Sequence, residues 1–122
     1  MGDWSFEPWG TDEAADWFAR FWKSKDIALV IDTIERFDPK EEAFDGLRAA
    51  AYVLDSFGSP YMWPSPHGGK LKPLLNEAIA ILTKMIEPAD PWGFIDAWGS
   101  RKVVPAVEAQ IAALQARLGK LI

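Results

Sequence analysis

The chain has 122 residues, of which 49% are hydrophobic, 25% charged and 13% aromatic, values that fit one globular domain and exclude a disordered chain. No apolar run reaches the roughly 18 residues that a membrane-spanning helix needs, and the absence of cysteine excludes disulfides and thiol chemistry. The formal charge of −5 is uneven: residues 1–60 carry 13 acidic against 6 basic residues, a net of −7, and residues 61–122 carry 5 against 7, a net of +2.

This balance disfavours binding to phosphate backbones and favours basic partners through steering and complementary charge. A solvated surface that keeps the domain soluble accounts for the same charges. The opening Met1-Gly2-Asp3-Trp4-Ser5-Phe6 has no basic n-region, no apolar h-region and no hydroxyl residue at position 6 for myristoylation. A cytoplasmic protein with no membrane attachment is expected.

In chain order, Thr11 is placed to cap a first helix over about residues 12–23, with Asp12 and Glu13 at the positive end of its dipole. Ala14, Trp17, Phe18, Phe21 and Trp22 follow at helical spacing. Asp26 caps a second helix with a stripe of Ile27, Val30, Ile31, Ile34 and Phe37, ended by Asp38-Pro39. Asp38 as N-cap, Pro39 at the first helical position and Glu41 three residues after the cap predict a third helix of about 19 residues. It turns Phe44, Leu47, Ala51, Leu54 and Phe57 inward and stops at Gly58.

Residues 59–69 contain three prolines and a glycine pair and are expected to be irregular. A fourth helix starts near Lys72, with Pro73 in its first turn. Its Leu74, Leu75, Ala78, Leu82 and Met85 are buried, and Ile79, Ile81 and Ile86 widen the apolar face, so it is the expected central helix. A second irregular stretch covers 87–101, where Asp90-Pro91 starts at most a short turn and Gly93 and Gly99 oppose anything long. The last helix runs from about Val103 to Leu118, with Pro105 in its first turn. Its Val104, Val107, Ile111, Leu114 and Leu118 form a seam too short for a coiled coil. The expected fold is therefore all-α: a single compact domain of about five helices over 1–122, with an aromatic arm at 1–11 and irregular segments at 59–69 and 87–101. A short hairpin built from Trp4–Trp9 or from the proline loop is the alternative.

Few residues carry chemistry. His67 is the only histidine, and without cysteine it cannot complete the usual zinc ligand sets. In Pro66-His67-Gly68-Gly69 it is either a solvated loop residue or a group near a ligand. No nucleophile elbow, Walker loop or dinucleotide fingerprint occurs, and Gly68-Gly69-Lys70 lacks the spacing of a phosphate loop. Asp12 and Asp16 share a helical face, as do Asp32 and Glu35, a geometry that suits a hard cation. Helix starts favour carboxylates in any case, and no catalytic, metal or cofactor site is expected.

The aromatic residues are more unusual. Trp4, Phe6 and Trp9 precede the first helix, Tyr61, Met62 and Trp63 occupy the proline loop, and Trp92, Phe94 and Trp98 occupy the second loop. Such residues either plug a helical core or anchor a partner. The Tyr61–Trp63 loop is the foremost contact candidate, because proline-stiffened backbone loses less entropy on binding.

The stretch Trp4-Ser5-Phe6-Glu7-Pro8-Trp9-Gly10-Thr11-Asp12-Glu13-Ala14-Ala15-Asp16-Trp17 resembles the opening of a small bacterial family of unknown function. Its members begin with a Trp-Gly-rich segment and an aromatic, then run Asn-Asp-x-Ala-x-Asp-Trp into a helix. Residues 11–17 match the second half; Ser5 stands where glycine is usual, and Thr11 replaces asparagine. The resemblance implies the style of an immunity protein of a bacterial toxin system and carries over no catalytic residue.

The expected function is non-catalytic protein binding, as an immunity protein that occludes the active site of a basic cognate toxin. Contact is expected at Asp12, Glu13, Asp16, Asp32, Glu35, Glu41, Glu42, Asp45, Tyr61, Met62, Trp63 and His67. The alternative is a small enzyme or ligand-binding domain with a pocket between the two aromatic loops and His67 or Asp96 as its polar group. A homo-oligomeric scaffold joined through the last helix is a third possibility.

Overall fold

In the computed structural model, which describes residues 5–121, six α-helices follow one another: α1 (Asp12–Ser24), α2 (Ala28–Glu35), α3 (Phe44–Phe57), α4 (Leu71–Met85), α5 (Phe94–Trp98) and α6 (Val104–Gly119). No strand occurs among the described residues, and one apolar core unites the helices into a single all-α domain. The N-terminal hairpin alternative is therefore not seen from Ser5 onward, where a turn closes through Ser5 N–H to Gly10 O and Gly10 N–H to Glu7 O. Trp4 lies outside the described residues.

Local chemistry sets most boundaries. The Thr11 hydroxyl accepts from Ala14 N at 3.1 Å and starts α1; Lys25, left-handed at φ 50°, stops it. The Asp26 carboxylate accepts from Ala28 N, so it starts α2 as expected, one residue further on. Trp17 then ties α1 to α2: it is fully buried, and its indole N–H donates to Thr33 Oγ1 at 3.0 Å. Trp22 shares the aromatic spacing of α1 but is 63% exposed.

The predicted 19-residue third helix is broken. Asp38 accepts from Lys40 N and opens only a 3-10 turn over Pro39–Glu41, after which Glu42 turns left-handed at φ 56°. No capping box forms at Glu41, and α3 starts afresh at Phe44. The break lets Phe44 join Phe37, Trp92 and Phe94, with centroid separations of 5.8 Å to Phe37 and 5.4 Å to Phe94. Burying that aromatic cluster favours the bend over a continuous helix. At the other end of α3, Phe57 is exposed rather than inward.

α3, not α4, is the most enclosed element. Nine of its fourteen residues are buried, against six of fifteen in α4, and it packs on α1, α2, α4 and α6. Small residues (Gly46, Ala49, Ala50 and Ala51) let neighbours approach from several directions. Among them sits Arg48, 1% exposed. Its Nε donates to Gln110 Oε1 of α6 at 2.7 Å and its Nη2 to the Phe6 carbonyl at 2.6 Å, while Gln110 Nε2 returns a bond to the Arg48 carbonyl at 3.0 Å. Burial lowers the guanidinium pKa to about 10, with the Asp45 and Glu7 charges opposing the fall, so it stays cationic at neutral pH.

Both irregular segments contain short helical pieces. Ser65–Lys70 is a 3-10 turn kinked at His67 that leads into α4. In the second, both Asp90 carboxylate oxygens accept at 3.0 Å, from Ile95 N and Asp96 N, and start the five-residue α5 between left-handed Gly93 and Gly99. Trp92 and Phe94 plug the core, and Trp98 meets Phe6 of the arm at 5.3 Å. α6 packs on α4 and α3 of its own domain, which employs its apolar seam.

Gln110→Ala should leave the Arg48 Nε unpaired in the core, remove the extra bond to the Arg48 carbonyl and cost about 3 kcal/mol. Urea unfolding checks this: the midpoint falls while the slope holds.

Candidate binding surface

The predicted contact residues separate into three groups. The first lies along the bend between α2 and α3. Asp32 and Glu41, with Asp38, Arg36 and Phe37, line a cleft of about 170 Å³. Glu42 and Asp45 line a second cleft of about 90 Å³, walled by Phe44, Phe94 and Trp98. Five of the eight predicted carboxylates thus bear on each other's surroundings or on one element: Glu13 joins them, because its Oε2 accepts from Gly46 N at 2.6 Å. The break at Glu42, which sequence reasoning missed, is what turns Glu41 and Glu42 toward different clefts.

Glu13 is a structural as well as a surface residue. Burial raises its pKa, the Gly46 amide bond opposes the rise, the Asp45 charge adds to it, and the Asp45 amide and Arg20 lower it. The second group, Asp12 and Asp16, is exposed on α1. Glu35 is set apart: Lys70 Nζ reaches its Oε2 at 2.9 Å and ties α2 to the foot of the proline loop. Among the described residues, no three His, Asp or Glu side chains are grouped to hold a metal ion.

The proline loop forms the third group, and it divides its residues sharply. Trp63 is 4% exposed and its indole N–H donates to the His67 carbonyl at 2.8 Å, so it is the loop's internal anchor and is not presented on the surface with Tyr61 and Met62. His67 is half-buried beside it. The Ser59 carbonyl accepts from Met62 N at 2.9 Å and from Trp63 N at 2.8 Å, which closes the turn. Above this base Tyr61 is 98% and Met62 55% exposed.

None of the clefts at the bend, under the proline loop or beside Trp9 is lined by both aromatic loops, the arrangement that the ligand-pocket alternative expected. The proline loop borders a cleft with Leu71, Lys72 and Leu121, and the second loop lends Phe94, Ala97 and Trp98 to the cleft at Glu42. His67 and Asp96 line neither. A further exposed pair, Trp9 and Tyr52, meets edge-on at 5.0 Å over the alanines of α6. No helix among the described residues is long and apolar enough to cross a membrane. No protein family, curated protein or solved structure matches the chain.

Because burial favours the protonated form of Glu13 in the folded chain, its ionisation costs stability as pH rises through the folded pKa. Glu13→Gln retains an acceptor for Gly46 N and removes that cost. Thermal unfolding should show the variant at least as stable as the parent near neutral pH, with its relative advantage shrinking in acid, where both side chains are uncharged.

Proposed function

We propose that this chain is a non-catalytic protein-binding domain that meets its partner through the tip of the proline loop. The observation that carries the reading is the contrast within three consecutive residues: Trp63 is locked in the core while Tyr61 and Met62 stand in solvent. A side chain held clear of a braced loop suits insertion into a concave site, with little ordering cost left at binding.

The partner is basic. The first sixty residues carry a net −7, and Asp32, Glu41, Glu42 and Asp45 line two neighbouring clefts. Such a surface steers a positively charged protein and rejects nucleic acid. Together with the resemblance of residues 4–17, this supports the more specific reading of an immunity protein that plugs the active site of a cognate bacterial toxin.

Affinity capture from native-host lysate, followed by binding and activity assays with the purified partner, tests the proposal. Tyr61→Ala combined with Met62→Ala should weaken binding about 30-fold or more and leave the melting temperature unchanged, since both side chains are exposed. Reversal of Asp32, Glu41 and Glu42 to Lys should slow association and flatten its salt dependence. Unchanged affinity in the loop variant removes the proposed contact, and a partner whose activity survives stoichiometric complexation removes the immunity reading.

A further inference from the structure

We propose that the cleft beneath the proline loop binds a small amphipathic carboxylate, apolar body inward and carboxylate on Lys72. The cleft encloses about 330 Å³, at the lower end of the ~300–1,000 Å³ typical of small-molecule sites. This exceeds the roughly 90 and 170 Å³ of the clefts along the α2–α3 bend. The cleft is lined by Pro60 and Trp63 at the base of the loop and not by the exposed Tyr61 and Met62 on which the protein-binding reading rests.

The wall chemistry selects the ligand. Pro60, Trp63, Leu71 and Leu121 supply an apolar lining from the loop, α4 and the chain beyond α6. The Trp63 indole N–H is already given to the His67 carbonyl, so the edge of this buried ring that borders the cleft offers hydrocarbon and no donor. Among the described residues, the polar side chains of the lining are Ser65 and Lys72, a hydroxyl and an ammonium, with no carboxylate. Gly68 leaves its edge open: a Cβ there would meet nothing within 4 Å.

Among the described residues, Lys72 is the only charged one on the lining. Its neighbour Lys70 is engaged by Glu35, but Lys72 makes no ion pair among the described residues. An unengaged cation at the rim of an apolar cleft, in a chain of net charge −5, favours an anionic head group over a neutral or cationic one. A carboxylate on a compact hydrocarbon body satisfies both halves of the site: its oxygens accept from Lys72 and Ser65 while the body covers Pro60 and Leu121 and abuts the edges of the buried Trp63 and Leu71.

Octanoate, octanol and octylamine, titrated separately into isotope-labelled protein and followed by NMR, provide the test. Octanoate should shift the Trp63 indole, the Gly68 amide and the Leu121 methyls saturably, with octanol about fivefold weaker and octylamine weaker still. Lys72→Met should lower octanoate affinity about fivefold and erase its preference over octanol, while the thermal midpoint holds because Lys72 is exposed. Equal affinity for octanoate and octanol in the parent chain, an unaffected Lys72→Met variant, or no saturable shift at these groups overturns the proposal.

Discussion

The reciprocal bonds between Arg48 and Gln110 set the positions of the elements around them. A buried guanidinium is costly unless its donors are met, and here they are met only when α6 and the N-terminal arm both sit in register with α3. Apolar packing holds α6 through Val107 and Leu114, but on the side facing Tyr52 the helix offers only Ala106, Ala109 and Ala113. The polar clamp supplies the direction that those methyl groups lack. It also holds the Phe6 carbonyl, and the arm thereby brings Phe6 to Trp98 and Trp9 to Tyr52.

From this frame the two surface features follow by different routes. The acidic clefts exist because the chain bends at Glu42, and the bend is stabilised by the cluster of Phe37, Phe44, Trp92 and Phe94. The Tyr61 tip exists because the chain after α3 is drawn back to the core by Trp63 and joined to α2 through Lys70 and Glu35. Charge and exposed aromatic surface are thus mounted on separate supports. In a complex they would act on separate quantities, the carboxylates chiefly on association and the loop tip chiefly on dissociation.

Periodic apolar spacing made α1, α2, α4 and α6 legible, and Thr11, Asp26 and Asp38 each bind backbone amides where their side chains announce a start. The bend was not legible, because Lys40-Glu41-Glu42-Ala43 are all good helix formers and the forces that break the helix come from residues as distant as Trp92. Arg48 was missed for a related reason: a charged residue reads as surface unless its neighbours say otherwise. Gly46, Ala49, Ala50 and Ala51 gave that sign, since small residues on successive faces mean a helix enclosed on several sides. In the proline loop, the choice between Tyr61 and Trp63 as the buried ring depends on a bond to the His67 carbonyl, which no local pattern encodes. The cleft beside Leu121 joins residues some sixty positions apart and was equally hidden.

The central proposal is that the residues of the loop tip are held still before any partner arrives. Backbone heteronuclear NOE values measured on the free protein test it most directly. The account predicts values at Tyr61, Met62 and Trp63 equal to those within α3 and α4, because Trp63 is buried and the turn is closed on Ser59. Values at Tyr61 and Met62 well below the helical level, with Trp63 falling alongside them, would contradict it.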